Sequence, residues 1–250
     1  MNTICLMNNK GGVGKTTTTI NVAYCLSKKA KVLIIDCDSQ SNLSNSFGIT
    51  EPSISVYDLF KRKSVKPINV RKNLDIIPST GDFAGADLII QNEFARELIL
   101  KKQLNEFREL YDYVFIDCPP SLNLVTINAL SASDYVIIPV EASAFSMSGV
   151  SSMIEFTTSI KEMINPDINI LGLLITKYDK RLKLATKILK QIEEKGWERA
   201  FFNTKIRINT TIAASQDEQK PILEYDSKSH GAIDYVSLTK EIINRVKNGL

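Results

Sequence analysis

A glycine- and lysine-rich segment near the start of the chain has the residue types of a phosphate-binding loop. Residues 9–17 are N-K-G-G-V-G-K-T-T, between a short apolar run and a helix-like stretch that starts near Lys15. Glycines let backbone N–H groups approach phosphate oxygens without an intervening Cβ, and a helix N-terminus favours anions. Lys15 would bind the β- and γ-phosphates of a nucleotide, and the Thr16 hydroxyl would bind Mg²⁺. The order of these residues after a strand predicts a nucleotide site rather than a glycine-rich turn that binds nothing.

Three aspartates that follow apolar runs have the chemistry needed beside a nucleotide. Asp36 and Asp38 come after V-L-I-I, and residues at i and i+2 of an extended chain point to the same side. Asp117 ends the run Y-V-F-I, as a Walker B aspartate does beside Mg²⁺. Asp36 could hold Mg²⁺ through water, and Asp38 could orient an attacking water. Asp residues also cap loops and helices, but the preceding phosphate loop favours the functional interpretation.

Strand-like and helix-like patterns alternate along the whole chain. Strands are predicted at 4–7, 31–35, 74–77, 113–116, 135–140 and 168–176, with a weaker one near 200–204. Helices are predicted at 15–29, 87–110, 146–164, 182–195 and 233–246, with a short one near 56–62. Nearly continuous apolar strands indicate a mostly parallel sheet covered on both faces. The alternation therefore predicts a doubly wound α/β fold, as one domain spanning residues 1–250.

The composition is that of an ordinary globular protein. The chain has 250 residues, of which 44% are hydrophobic and 24% charged, enough for a full core. Its four cysteines form no C-x-x-C pair, so we expect buried free thiols in a reducing cytosol rather than metal ligands. We find no signal peptide and no apolar run long enough to span a membrane, which predicts a cytoplasmic protein without a membrane partner.

The charge is unevenly distributed between the two parts of the chain. Residues 177–250 carry 15 Lys/Arg and 10 Asp/Glu, a net charge of +5, and residues 1–176 carry 16 and 18, a net charge of −2. A basic C-terminal third is compatible with binding a polyanion. A solvated helical surface accounts for the same charges, so charge alone does not decide between the two.

The second lysine of the phosphate loop points to a particular family. Lys10 precedes the glycines, and the pattern K-G-G-x-G-K-[ST] resembles the deviant Walker A motif of the ParA/MinD ATPases. This resemblance implies a deviant P-loop NTPase fold, ATP or ADP with Mg²⁺ as cofactors, and a homodimer formed on ATP binding. It also implies that Lys10 reaches the nucleotide of the facing subunit.

The aspartate segments match the same family. Residues Asp36, Asp38, Gln40 and Asn42 fit its D-x-D-P-Q-x-N motif, with Ser39 in place of the proline, and D-C-P-P after residue 116 fits its Walker B form. The resemblance implies catalytic roles for Lys10, Lys15 and Asp38, and metal-binding roles for Thr16, Asp36 and Asp117.

Similarity to the family continues to the C-terminal end, with less specific motifs. L-L-I-T-K-Y-D at 173–179 lies where the family approaches the nucleotide base, and I-R-I-N at 206–209 resembles its I-P-R-N stretch without the proline. The nucleotide contacts implied by the resemblance are those of Lys10, Gly11, Gly12, Val13, Gly14, Lys15, Thr16, Thr17, Lys177, Asp179 and Arg207.

Several members of this family are excluded by what the chain lacks. A nitrogenase-type reductase needs a cluster-binding cysteine beyond the Walker B region, and no cysteine follows Cys118. Only residues 247–250 follow the core face of the last predicted helix, too few for the membrane anchor of a MinD-type ATPase. The loop begins within ten residues of the start, which leaves no room for an N-terminal helix-turn-helix domain.

The remaining interpretation is a ParA/Soj-type partition ATPase associated with the nucleoid. It would bind DNA without regard to sequence, hydrolyse ATP slowly and work with a small ParB-like adaptor. Candidate DNA contacts are Lys183, Lys187, Lys190, Lys205 and Arg207. The alternative is an ATPase switch that positions a protein or other non-DNA cargo, and a small-molecule kinase is a third possibility.

Overall fold

A seven-stranded sheet is the centre of the fold in the computed structural model, which describes residues 1–142 and 147–249. Its order is β3-β4-β2-β5-β1-β6-β7, and every pairing is parallel except that of β3 with β4. The strands are β1 Asn2–Leu6, β2 Val32–Asp36, β3 Ile68–Arg71, β4 Leu74–Ile77, β5 Tyr113–Asp117, β6 Tyr135–Glu141 and β7 Asn169–Thr176. The predicted doubly wound, mostly parallel α/β fold is confirmed.

Helices cover both faces of this sheet, because alternate strand residues point to opposite sides. The helices are α1 Lys15–Ser27, α2 Asn42–Asn45, α3 Val56–Phe60, α4 Ala86–Ile90, α5 Ile99–Gln103, α6 Leu124–Ser131, α7 Met147–Met163, α8 Lys183–Glu194, α9 Thr210–Asp217, α10 Ile222–Tyr225 and α11 His230–Lys247. Ile4 and Leu6 pack with α1, α10 and α11, whereas Cys5 and Met7 belong to the core under α3 to α8. Among the helices of residues 1–142 and 147–249, none has the length and apolar character needed to cross a bilayer.

The connections place a crevice at the carboxyl ends of β1 and β5. These strands are neighbours, yet β1 continues into α1 on one face and β5 into α6 on the other. In open α/β sheets, ligands bind where the connections leave in opposite directions. The phosphate loop and the Walker B aspartate therefore meet at one point.

The predicted long helix over 87–110 is wrong. The chain forms α4 and α5 separately, with 3₁₀ turns at Arg96–Leu98 and Leu104–Phe107. Ala95 has a left-handed backbone (φ 53°), which a continuous helix does not allow. The Asn128 side chain of α6 then donates to the Arg96 carbonyl (2.7 Å) and accepts from the Leu100 N–H (3.1 Å). The side chain of Asn128, distant in the sequence, therefore supplies hydrogen bonds to backbone groups where the helix is interrupted.

Two smaller predictions also differ from the structure. The weak strand near 200–204 is not a strand; Phe202 N–H donates to the Leu173 carbonyl (2.9 Å), and only an isolated parallel bridge joins Phe201 to β7. β3 was not predicted, because the segment around it lacks a clear apolar pattern. The predicted helix over 146–164 corresponds to α7, and its first residue lies outside the described ones. The cysteines are free thiols as expected.

Gly172 of β7 is required by close packing against α11. A Cβ at this position would lie 2.6 Å from Arg245 Nη1 and 2.7 Å from the Phe202 ring. We expect Gly172→Ala to lower the free energy of unfolding by about 1–3 kcal/mol, because both neighbours are tightly packed and would have to move. Gly81→Ala is the control, since its Cβ would meet nothing within 4 Å. Urea unfolding of both variants tests this, and equal stabilities would contradict it.

Candidate functional site

The phosphate loop is an open cradle of backbone groups at the start of α1. Gly12 and Gly14 have positive φ (72° and 92°), which glycine adopts without strain. A Cβ added at Gly11 or Gly12 would meet no atom within 4 Å, so the space in front of the backbone is empty of side chains. Since α1 begins directly after Gly14, its N-terminal N–H groups face the same space. The loop therefore has the geometry of an anion site.

Lys15 lies inside this loop rather than in solvent. Its ammonium donates to the carbonyl oxygens of Asn8 and Lys10, both at 3.1 Å, and the residue is buried. Burial lowers the pKa of Lys15, while the nearby charges of Asp117 and Asp38 oppose this shift. A phosphate at the loop would add a negative partner to an ammonium that burial now disfavours.

Thr16 and Asp117 are hydrogen-bonded to each other, and one carboxylate oxygen of Asp117 has no hydrogen-bond partner. The Thr16 hydroxyl donates to Asp117 Oδ2 (2.6 Å), and Asp117 Oδ1 is buried without a hydrogen-bond partner. Burial, and then the charge of Asp36, raise the pKa of Asp117 well above its usual range. A divalent cation beside these oxygens would supply the missing partner and favour the carboxylate. The predicted metal residues Thr16 and Asp117 therefore fit Mg²⁺, a hard cation that prefers oxygen ligands.

Asp36 lies beside Asp117 in the sheet, but its carboxylate accepts hydrogen bonds from the loop that follows it in the chain. Oδ2 accepts from the Ser44 N–H (2.9 Å) and hydroxyl (2.7 Å), and Oδ1 accepts from the Asp38 N–H (3.1 Å). Burial raises the pKa of Asp36 to about 6, and the Ser44 hydrogen bonds oppose the shift. Asp38 itself borders the cleft at the phosphate loop, and its Oδ1 accepts from the Gln40 N–H (3.0 Å).

A cleft of about 920 Å³ extends from the phosphate loop between α1 and α9. This volume falls in the range of small-molecule sites. Lys177 and Arg207, both predicted from sequence, line the cleft, and Lys177 lies 3.4 Å from the Glu141 carboxylate. Asp179, predicted with them, borders a smaller depression instead and pairs with Arg181 at 2.6 Å. The structure thus brings together two of the three predicted base contacts.

Arg207 is fixed by an acidic partner on α11. Its Nη2 lies 2.6 Å from Asp234 Oδ1, and its backbone N–H donates to Asp234 Oδ2 (3.0 Å). The Asp234 carboxylate holds the pKa of Arg207 above its usual range. Its charge is thereby compensated, so Arg207 is better suited to a directed contact in the cleft than to attracting a polyanion at long range.

α9 supplies cleft residues that sequence reasoning missed. Gln216 Nε2 donates to the Thr17 hydroxyl (3.0 Å), which connects α9 directly to the phosphate-loop helix. The Asn209 side chain caps α9 by accepting from the Thr211 N–H (2.8 Å). An Asn before Thr-Thr is a helix-start signal, and it was available in the sequence.

The remaining predicted residues lie away from the cleft. Lys10 is exposed and borders a separate cavity of about 210 Å³ beside β6 and α7. Lys183, Lys187 and Lys190 are exposed on α8, whose buried Ile188 faces the core. Lys205 is half-buried on the segment that follows, where its Nζ donates to the Asn203 carbonyl (3.3 Å).

Comparison with known proteins places this site in a known context. A family model described as an AAA domain matches residues 1–170. The chain is 37% identical to the sporulation initiation inhibitor protein Soj of Bacillus subtilis, covering 96% of this chain and 97% of that protein. It is also 37% identical to the chromosome-partitioning ATPase Soj of Treponema pallidum, covering 97% of each.

A solved structure has the same fold with nucleotide and metal bound. Cobyrinic acid a,c-diamide synthase from Mycobacterium smegmatis, crystallised with an ATP analog and magnesium, matches this chain with a TM-score of 0.88 at 27% identity. The match covers 100% of this chain and 97% of that one. The fold therefore accommodates a nucleotide and Mg²⁺ in that relative.

The raised pKa of Asp117 predicts a pH dependence of stability in the nucleotide-free, metal-free protein. Native Asp117 holds its proton more tightly than the unfolded chain does, so its contribution to stability is complete below about pH 4 and is lost as the pH rises through the native pKa. The unfolding free energy of the parent should therefore fall relative to Asp117→Asn as the pH increases. Urea unfolding at several pH values measures this difference. Asp167→Asn makes the same substitution at an exposed carboxyl and is the control.

Proposed function

This chain belongs to the ParA/Soj-type family of P-loop ATPases, and from that membership we propose that it is a DNA partition ATPase. In this proposal it dimerises on binding ATP, binds DNA without regard to sequence and hydrolyses ATP slowly. The observation that carries the nucleotide role is the buried, unpartnered oxygen of Asp117 beside Thr16, at the mouth of a glycine cradle.

The residues of the cradle and its surroundings have separate roles in nucleotide binding and hydrolysis. Lys15 and the loop N–H groups bind the phosphates. Thr16 and Asp117 would hold Mg²⁺, and the Asp36 carboxylate, which also accepts hydrogen bonds from Ser44 and Asp38, would support the ion through water. When bound, Mg²⁺ neutralises charge on the phosphate oxygens. Ser44 donates to Asp36 and not to Asp38, and Asp38 lines the cleft. In this proposal Asp38 is therefore the residue that orients the attacking water.

The nucleotide base occupies the cleft beyond the phosphate loop. Lys177 and Arg207 line that region and contact the base or ribose, and Asp179 acts from the neighbouring depression. Arg207 suits this task because Asp234 fixes its guanidinium. These base contacts follow from the resemblance and from the cleft's lining.

Lys10 completes the site of a second copy of the chain. Lys15 already fills the inside of the loop, and Lys10 is exposed on the side of β6 and α7. A two-fold arrangement would let each Lys10 reach the phosphates bound by the other subunit. The dimer then depends on ATP, because the γ-phosphate is the group that both lysines share.

DNA binding is assigned to the basic face of α8 and the segment after it. Lys183, Lys187 and Lys190 are exposed on one helix face, and residues 177–250 carry a net charge of +5. Lys205 extends this surface, whereas Arg207 contributes less charge because of Asp234. Dimerisation places two such surfaces on one particle, which makes DNA binding dependent on ATP through avidity.

The cellular setting proposed is the nucleoid, where the ATPase works with a small ParB-like adaptor. The alternative is an ATPase switch that positions a protein or other non-DNA cargo. Both would use the same nucleotide site, so the DNA surface of α8 is what separates them. ATP-dependent DNA retention favours partition, and its absence favours cargo positioning.

We expect Asp38→Ala to bind ATP normally and to lose turnover, because only the water-orienting carboxylate is removed. Lys15→Ala should lose nucleotide binding itself. Asp167→Ala is the matched control and should behave as the parent. Asp167 is exposed just before β7, and so lies at the amino-terminal ends of the strands, away from the crevice at their carboxyl ends. Nucleotide affinity by fluorescence and phosphate release under Mg²⁺ and EDTA measure these effects. Parental turnover by Asp38→Ala would refute the assignment.

We expect DNA retention only with ATP, and a loss of it in Lys183→Glu/Lys187→Glu while ATP-dependent dimerisation persists. Binding should weaken with salt, with a log–log slope of roughly −0.9 per phosphate neutralised. Lys29→Glu/Lys72→Glu makes the same charge change at exposed positions away from α8 and should retain DNA. Equal retention with and without ATP would contradict this mechanism.

Lys10→Ala should bind ATP, remain monomeric in light scattering and fail to retain DNA.

A further inference from the structure

A single carboxylate holds both ends of the loop that carries Asp38. Asp36 Oδ1 accepts the N–H of Asp38 at the start of the loop (3.1 Å), and Oδ2 accepts from Ser44 at its end. Between these points the Asp38 carbonyl accepts the N–H of Ser41 (2.9 Å). The loop is thus closed on Asp36, and the position of Asp38 depends on how Asp36 is oriented.

Ser44 is the side chain that orients Asp36. Its hydroxyl donates to Asp36 Oδ2 (2.7 Å) and accepts from the N–H of Ser79 after the end of β4 (2.9 Å). The residue is fully buried, so no solvent competes for these bonds. The hydroxyl hydrogen has only one direction left, toward Asp36, because its oxygen faces the Ser79 donor. The end of β4 therefore fixes Ser44, Ser44 fixes Asp36, and Asp36 fixes the backbone of Asp38.

We propose that Ser44 is a positioning residue for ATP hydrolysis, which acts by holding Asp36 so that the Asp38 carboxylate stays at the cleft. This inference rests on the proposed role of Asp38 in orienting water. Ser44 does not line the cleft and is not a catalytic residue. Its effect reaches the reaction through two hydrogen bonds.

Loss of the hydroxyl should affect turnover and spare nucleotide binding. Without it, the buried Ser79 N–H has no partner and Asp36 Oδ2 keeps only the Ser44 N–H, so the loop is free to shift. The phosphate cradle belongs to the β1–α1 connection and has its own anchors, among them the Lys15 bonds to Asn8 and Lys10. Small displacements of a positioning group can lower rates by one to two orders of magnitude.

The test compares Ser44→Ala with Ser44→Thr, which keeps the hydroxyl, and with Ser44→Cys, which replaces the hydroxyl by a slightly larger, weakly donating thiol. Ser79→Ala is the matched control: the Ser79 hydroxyl is buried without a partner, and the variant keeps the N–H that Ser44 uses. We expect single-turnover hydrolysis to fall roughly tenfold in Ser44→Ala and Ser44→Cys. ATP affinity should stay within about twofold of the parent, and Thr should restore most of the rate. Ser79→Ala should match the parent.

A second comparison separates positioning from general loosening of the fold. Because Ser44 acts on the Asp38 loop and not on the phosphate cradle, adding Ser44→Ala to Asp38→Ala should leave the ATP affinity of that variant unchanged, whereas a loosened fold would lower it. Parental hydrolysis by Ser44→Ala, a fall in its ATP affinity as large as the fall in rate, or a lower ATP affinity of the double variant than of Asp38→Ala would each overturn the proposal. Should Ser44→Ala fail to fold, Ser44→Cys answers the same question. Parental turnover by Asp38→Ala would instead show that the proposed role of Asp38 is wrong.

Discussion

Two buried carboxylates on neighbouring strands are the constraint on which the rest of the site depends. Asp36 and Asp117 face each other in the register of β2 and β5, and neither has more than 1% of its surface exposed. Like charges this close and this deeply buried cannot both ionise without nearby positive partners. Lys15 offsets part of the repulsion, and the Thr16 hydroxyl satisfies one oxygen of Asp117. The nucleotide-free site is therefore short of positive charge, and it favours a cation and the anion that accompanies it.

The fold keeps these groups together by using separate segments for separate tasks. β1 and β5 supply the cradle and the Walker aspartate, and the loop after β2 carries Asp38. Part of the far wall of the cleft comes from residues 206–208, at the end of the segment 201–208, which runs beside β7 without forming a strand. α11 holds that segment: Glu241 accepts from the N–H groups of Asn203 and Thr204, and Arg245 donates to the Phe201 carbonyl. Because α11 also packs on α1, one helix supports both walls of the cleft.

Charge pairing decides which basic residues can act at long range. Arg207 and Arg181 each have a carboxylate oxygen at 2.6 Å, so their fields are largely cancelled locally. On α8, the exposed Lys190 has a weaker ion pair, with Glu194 at 3.8 Å. Exposed pairs of this kind contribute little and are screened by salt. A basic surface is thus defined less by the number of cations than by how many lack a close anion.

The amino-acid sequence predicted the fold class, the phosphate loop and the aspartates at the strand ends. It could do so because apolar runs, glycine turns and strand-end carboxylates are local patterns with local physical causes. The folded structure was needed to show that Asp36 accepts hydrogen bonds from Ser44, that Arg207 is paired with Asp234, and that Asp179 lies outside the cleft. It also decided that the segment 87–110 breaks, because Asn128 of α6 satisfies the broken backbone. Each of these outcomes depends on partners distant in the chain, and a hydrogen bond between distant segments leaves no periodic signal in the sequence.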